Sequence, residues 1–71
     1  MERYFDVVVE KDEDGWYVGS VPALPGCHTQ ARSLDDLHER IREAIELCLE
    51  EHGLPERELQ FVGVQRVKIP A

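Results

Sequence analysis

The chain has 71 residues, of which 42% are hydrophobic and 32% are charged, and its formal net charge is −7. This length excludes a multidomain enzyme, because two separate cores rarely fit into fewer than about 100 residues. The acidic balance argues against nonspecific binding to nucleic-acid backbones and favours a basic partner.

The sequence also indicates in which cellular compartment we expect the protein. It has no apolar run of the about 20 residues that a membrane-spanning helix needs, and residues 1–6 lack the basic and then apolar pattern of a signal peptide. Two cysteines, Cys27 and Cys48, are too few for a secreted disulfide framework. We therefore expect a soluble cytoplasmic protein that has no membrane partner and keeps its thiols reduced.

The first half of the chain predicts three short strands. The β-branched and aromatic run of residues 3–11 is typical of a strand, and residues 16–21 predict a second one. The turn at residues 12–15 makes these two strands a hairpin, with Gly15 where a positive φ is needed. Two prolines and a glycine in residues 21–26 predict a shaped loop, and residues 27–32 predict a polar third strand at a sheet edge.

The second half predicts one amphipathic helix and a last strand. Ser33 is a typical N-cap, and Asp36 completes a capping-box-like pattern. Gly53 and Pro55 end the helix, and the β-branched residues 59–69 predict the last strand. Apolar residues recur at the helical period on one stripe of the helix, at Leu34, Leu37, Ile41, Ala44, Ile45 and Cys48. The predicted order is βββαβ, an α/β (α+β) fold that makes residues 1–71 a single domain.

One helix can cover only one side of this sheet. Alternation along the first strand puts Phe5, Val7 and Val9 on one face, and Tyr4 and Val8 on the other. Both faces therefore carry large apolar side chains, and we expect a second chain to cover the helix-free face or an edge strand. The alternative is that these side chains simply tolerate exposure.

The length of the hairpin turn decides which residues of the second strand join each face. A turn of four residues would place Trp16 and Val18 with Phe5, and Tyr17 and Val21 with Tyr4. A shift of one residue would exchange these sets, so the face that the helix covers stays open. The candidate interface for a homo-oligomer is Tyr4, Val8, Tyr17 and Val21.

No constellation in the sequence predicts catalysis. Cys27, His28, Cys48 and His52 are residue types that bind zinc, but they lack knuckle spacing, and Cys48 lies on the apolar stripe of the helix. Ser33 is explained as a helix cap, and no nucleophile-elbow pattern is present. The acidic turn lacks the ligand spacing of an EF-hand. We expect no metal, no cofactor and no enzymatic activity.

The most distinctive segment is V-P-A-L-P-G-C-H-T-Q at residues 21–30. It follows D-E-D-G-W-Y-V at residues 12–18 and precedes S-L-D-D-L at residues 33–37 and E-A-I at residues 43–45. With these motifs in order over essentially the whole chain, the sequence resembles the HicB family of antitoxins, whose N-terminal domain is a partial RNase H-like βββαβ unit. The resemblance implies a mainly antiparallel sheet with one helix packed on one face, and a last strand parallel to the first and beside it.

The resemblance also implies a function, which is to neutralise a small basic ribonuclease toxin of the HicA type by protein–protein contact. An acidic surface would steer such a partner and compete with its RNA. Full-length HicB antitoxins usually continue into a DNA-binding domain, whereas this chain ends at Ala71, so we expect no nucleic-acid binding by this chain alone. Ala31 and Leu37 depart from the family pattern, which often has glycine and alanine at these places.

The candidate partner-binding residues are Asp12, Glu13, Asp14, Leu24, Pro25, Gly26, Cys27 and His28. The alternative for the loop is purely structural, with Pro25 and Gly26 making the turn and Leu24 filling the core. The alternative function is a free-standing homo-oligomeric module that binds a small ligand or a regulator. A minimal nuclease is the least supported hypothesis, since no paired carboxylates can be placed on adjacent strands.

Overall fold

Three antiparallel strands and one long helix make up the regular secondary structure in the part of the chain that the structure describes. The strands are β1 (Val8–Lys11), β2 (Tyr17–Ser20) and β3 (His28–Ala31), and the helix is α1 (Leu34–His52). The strands form one sheet in the order β1-β2-β3. The computed structural model describes residues 2–56 and 58–70. The predicted α+β class is confirmed, with the elements in the order βββα.

The β1–β2 hairpin closes through the predicted turn. The Asp12 carboxylate accepts hydrogen bonds from the backbone N–H groups of Asp14 and Trp16, both at 2.9 Å. Gly15 has a φ of 87°, which L side chains rarely adopt. A 3.2 Å bond from the Gly15 N–H to the Asp12 carbonyl and a 2.9 Å bond from the Asp12 N–H to the Trp16 carbonyl complete the turn. This pattern is a G1 bulge, which adds one residue to the second strand.

The extra residue decides which side chains lie under the helix. Val9 lies opposite Gly19, so Gly19 and Tyr17 share the face of Val9. A Cβ atom on Gly19 would lie 3.3 Å from Val7 Cγ1 and 3.5 Å from the Leu37 side chain, which identifies this face as the one that α1 covers. The assignment expected for a four-residue turn is therefore wrong, and the register shifted by one residue is the one that forms.

Both predicted ends of the helix are confirmed. Ser33 Oγ accepts a hydrogen bond from the Asp36 backbone N–H at 3.1 Å, as an N-cap does. At the other end, Gly53 has a φ of 73°, and its N–H donates to the Leu49 carbonyl at 2.8 Å. Asp35 and Asp36 lie in the first turn, where the helix dipole favours negative charge. No helix within residues 2–56 and 58–70 is long and apolar enough to cross a membrane.

A small core lies between the sheet and α1. The helix packs on β3 and β2 rather than on β1. Buried Ala31 on β3 and Leu37 on α1 lie at this contact, with exposures of 1% and 2%. The main cluster of buried residues is Val21, Leu24, Cys27 and Ile41. Half-buried side chains surround it, namely Phe5, Val7, Ala44, Ile45, Cys48 and Leu49. The side of the helix above β1 is therefore the least covered part of the core.

The predicted last strand does not form. Residues 58–70 pair with no strand in the structure, and all six large apolar side chains of residues 59–69 are exposed, up to 92% at Val62. A β-branched composition favours extended backbone, but a strand also needs a partner that offers hydrogen-bonding groups. We call residues 59–69 the arm.

Candidate protein-interaction surfaces

The loop after β2 consists of two consecutive β-turns. The Leu24 N–H donates to the Val21 carbonyl, and the Cys27 N–H donates to the Leu24 carbonyl, both at 3.0 Å. Pro25 and Gly26 occupy the central positions of the second turn, and Gly26 has a φ of 81°, which is the type II arrangement. A third bond, from the Val21 N–H to the Cys27 carbonyl at 3.0 Å, closes the loop.

This geometry turns every third side chain of the loop inward. Val21, Leu24 and Cys27 are 3%, 7% and 3% exposed, whereas the two residues between Leu24 and Cys27 are exposed, as is His28. Leu24 and Cys27 were both predicted to contact a partner, and the structure places them in the core. The structural alternative therefore describes Leu24 correctly, and the accessible part of the predicted loop set is Pro25, Gly26 and His28.

The two cysteine thiols lie together beneath the loop. Both are free, and burial, followed by the hydrogen bond with Cys48, raises the pKa of Cys27 to about 11. A thiol with such a pKa stays protonated at neutral pH and is a poor nucleophile and metal ligand. In the part of the chain that the structure describes, no group of three or more His, Cys, Asp or Glu residues is arranged to hold a metal ion.

The predicted acidic residues lie at the opposite end of the sheet from the loop. Both Asp12 bonds to backbone N–H groups hold the hairpin turn closed, so this carboxylate has a structural role. Glu13 and Asp14 are exposed. The turn precedes β2 and the loop follows it, so about 13 Å of strand separates them. The structure therefore divides the predicted partner-binding residues between two ends of the molecule.

A second acidic region, which the sequence reasoning missed, lies along α1 beside β3. We call it the acidic groove; its volume is about 600 Å³, and it is lined by Thr29 of β3 and by Asp36, Glu39 and Glu43 of α1. Arg40 also lines it and donates to a β3 carbonyl at 3.4 Å. The spacing of Glu39 and Glu43, one helical turn apart, combined with the predicted edge position of β3, could have indicated this groove.

The helix-free face is partly covered by its own side chains. Trp16, Val18 and Val8 are half-buried there, and the Arg32 guanidinium carbon lies 3.9 Å from the centroid of the Trp16 ring. Such stacking shields the aromatic face while the charge stays hydrated. The exposed apolar side chains are thus concentrated in the arm rather than on this face.

The four predicted oligomer-interface residues do not form one surface. Tyr4 is 87% exposed, and Val8 is half-buried on the helix-free face. Tyr17 lies on the opposite face, with the Lys11 ammonium 5.3 Å from its ring centroid. Val21 is a core residue. The one-residue shift of register separates these side chains.

Residues 5–62 match the family model described as HicB-like antitoxin of bacterial toxin-antitoxin system. The chain belongs to this HicB-like antitoxin family, as the sequence motifs predicted.

Similar proteins occur in archaea and bacteria, each named a UPF0150 protein. One from Archaeoglobus fulgidus is 60% identical over 65 residues, which cover 92% of this chain and 93% of the relative. Another from Synechocystis sp. is 49% identical over 68 residues and covers 96% and 97% of the two chains. A third from Thermotoga maritima is 34% identical over 70 residues, with coverage of 97% and 93%.

Proposed function

We propose that this chain is the antitoxin of a toxin–antitoxin pair, and that it neutralises a small basic ribonuclease of the HicA type by binding to it. The observation that carries the proposal is the family match over residues 5–62. The net charge of −7 supports a basic partner. On this proposal the protein acts in the cytoplasm by contact alone, without catalysis, cofactor or nucleic acid.

The acidic groove is the surface best suited to a basic partner. Its three carboxylates, from Asp36, Glu39 and Glu43, stand in a row along one side of α1. A ribonuclease must hold RNA phosphates with lysine and arginine side chains, and a row of carboxylates offers these side chains a competing ligand. Such contacts steer association and weaken as the salt concentration rises.

Two further surfaces extend the proposed contact. Glu13 and Asp14 add exposed negative charge at the hairpin turn, and Pro25, Gly26 and His28 form the rigid tip of the loop at the other end. Because the two surfaces lie at opposite ends of the molecule, a toxin of comparable size would contact one of them together with the acidic groove. The variants below separate these possibilities.

The test is an RNA-cleavage assay in which this protein is titrated against a HicA-type toxin. We expect the wild-type protein to abolish cleavage near equimolar concentration. The double variant Glu39→Lys with Glu43→Lys should weaken inhibition at least about tenfold, because it replaces attraction with repulsion at two contacts. Glu13→Lys with Asp14→Lys tests the hairpin turn in the same way.

The matched control is Glu50→Lys with Glu51→Lys, which changes the net charge equally on the same helix but outside the groove. Equal loss of inhibition in all three variants would mean that only total charge matters and would overturn the assignment to the acidic groove. Toxin activity that excess wild-type protein leaves unchanged would overturn the proposed function itself.

We also propose that the antitoxin is a homodimer or a higher homo-oligomer. The exposed arm supports this, since a monomer in water rarely keeps six large apolar side chains of one short segment uncovered.

A further inference from the structure

We propose that the arm docks against β1 of a second copy of this chain, so that two copies exchange their arms. The proposal rests on the homo-oligomer proposed above and names the segment that forms it. It does not depend on the identity of a toxin.

The two edges of the sheet differ in how well they could pair with an additional strand. β3 is flanked by the acidic groove, and charge at an edge discourages strand addition. Among the described residues no strand pairs with the outer edge of β1. A groove of about 540 Å³ lies next to this edge, between α1 and the residues that lead into β1. We call this the apolar groove. Its apolar lining is Phe5, Val7, Ile41, Ile45 and Leu49, and the remaining lining residues are Arg3, Tyr4, His38, Arg42 and Glu46. A strand added beside β1 would place every second side chain into it.

The arm has the side-chain alternation that this position requires. Leu59, Phe61, Val67 and Ile69 share one parity and would lie on one face of an extended strand. In the structure they are 62%, 48%, 70% and 70% exposed. The opposite face holds Val62 and Val64 in its first half and Arg66 and Lys68 in its second half, so only the second half has the polar composition of a solvent-facing side. The arm therefore has uncovered apolar side chains, and the groove beside β1 has no occupant among the residues that the structure describes.

The arm of the same copy does not fill the apolar groove. Among the described residues, those lining this groove include none from the arm. The first part of the arm instead borders a separate groove of about 480 Å³ with residues 3–6, Val8, Pro22 and Ala23. The Arg3 guanidinium donates a hydrogen bond of 2.8 Å to the carboxylate of Glu58, the residue just before the arm. The longest axis of the molecule measures 43 Å, which exceeds the length of α1, about 28 Å.

Charge supports a second copy of this chain as the occupant and also sets the direction of docking. Residues 2–56 carry 14 acidic and 5 basic side chains, whereas residues 59–70 carry only two charges, both positive. If the arm runs parallel to β1, Arg66 and Lys68 approach Glu10 and the acidic hairpin turn. The opposite direction would bring them to Glu2, Arg3 and Asp6, which together carry less negative charge. Attraction between a basic arm and an acidic body therefore favours parallel docking.

The contact has the size of a stable interface. Each copy would contribute eleven arm residues and the ten residues that line the apolar groove. A specific protein–protein interface typically involves about 20 to 30 residues on each side. Exchange is reciprocal, so the two docked arms are related by a two-fold axis and the assembly closes as a dimer.

The first test measures assembly and arm position in the unmodified protein. Light scattering after size exclusion should give the mass of a dimer. In an equimolar mixture of ¹³C-labelled and unlabelled protein, isotope-filtered spectra should show contacts between copies that join the Leu59 methyl groups and the Phe61 ring to Phe5 and Ile45. A monomer, or a dimer in which these contacts occur only within one copy, would overturn the arm exchange.

A pair of matched variants tests which face of the arm contacts the apolar groove. Phe61→Glu with Val67→Glu puts charge on the groove-facing parity and should weaken dimerisation at least a hundredfold, since each loses a buried apolar side chain. Val62→Glu with Val64→Glu makes the same chemical change on the opposite face of the arm and should alter the dimer dissociation constant less than about threefold. Circular dichroism should report the same helix content for both, because the arm lies outside the core.

The outcomes separate this inference from the proposals on which it rests. An unchanged dimer in Phe61→Glu with Val67→Glu would overturn the arm exchange and leave the homo-oligomer standing. Equal weakening by both pairs would overturn the assigned face of the arm. A monomeric wild-type protein that still inhibits a toxin would overturn both the homo-oligomer and the exchange, but not the antitoxin function.

Discussion

The loop of residues 21–27 and the arm of residues 59–69 are both rich in apolar side chains, and the structure treats them in opposite ways. The loop has no regular secondary structure, yet Val21, Leu24 and Cys27 form much of the core. The arm has the composition of a strand, yet its large apolar side chains are exposed.

The difference shows that burial depends on local geometry as well as on composition. Two successive β-turns repeat every three residues and direct three side chains to one side of the loop. Extended backbone has no such internal hydrogen bonds and is stable only when another strand pairs with it. The loop is therefore stabilised by its own hydrogen bonds, whereas the arm can form a strand only by pairing with another one.

The largest effect should follow from shortening a core side chain of the loop. Leu24→Ala removes buried methyl groups and should lower the free energy of unfolding by about 2 to 5 kcal/mol, measured by urea denaturation. Val62→Ala in the arm should change it by less than about 0.5 kcal/mol. Similar effects at both sites would contradict the contrast between the loop and the arm.

A smaller effect should come from the backbone of the second turn. Gly26 has a φ of 81°, and nothing lies within 4 Å of a Cβ atom placed on it. Gly26→Ala should therefore cost only the strain of the left-handed conformation, about 1 to 2 kcal/mol. Gly63→Ala in the arm meets open space without a positive φ, so thermal unfolding should show no loss of stability for it. A neutral Gly26→Ala would argue against the type II turn.

The buried thiol predicts a dependence of stability on pH. The pKa of Cys27 is raised by burial to about 11, above that of an unfolded thiol, so the folded state holds this proton more tightly. Its contribution is complete below the pKa of the unfolded thiol, near 9, and is lost as the pH rises towards 11. The free energy of unfolding should fall by roughly 1 kcal/mol per pH unit at most in this range. Cys27→Ala should remove that part of the slope, and an unchanged slope would refute the assignment.

The smallest effect should come from the ion pair that precedes the arm. Arg3 and Glu58 are both exposed in part, with side-chain exposures of 37% and 77%. Glu58→Ala should change the free energy of unfolding by less than about 1 kcal/mol, and less still at high salt. Glu58→Gln is the control that keeps the side-chain length. A loss as large as that of Leu24→Ala would show that this ion pair stabilises the core as well as the arm.

Much of the fold follows from local signals in the sequence. Ser33 and Gly53 cap the helix as predicted, and Gly15 and Gly26 adopt the positive φ values that their turns require. The register of the hairpin could not be predicted from these local signals. A bulge of one residue at Gly15 leaves the composition of both strands unchanged, but it exchanges the face of the sheet on which each side chain of the second strand lies.

The candidate site was less predictable than the fold. Asp14 and His28 are close enough in sequence to suggest one surface, but β2 holds them at opposite ends of the sheet. The acidic groove depends on which strand α1 covers, a tertiary relation that periodicity alone does not define. The arm failed as a strand because pairing requires a neighbour, and sequence composition does not reveal which chain provides it.

The stacking of Arg32 on Trp16 has a practical consequence. Trp16 is the single tryptophan of the chain, and it lies directly after the acidic hairpin turn. Its fluorescence therefore responds to the polarity and charge at that one end of the molecule, without any attached dye. A ligand that displaces Arg32 from the indole ring would change the emission, so the chain contains a built-in optical probe for events at the hairpin.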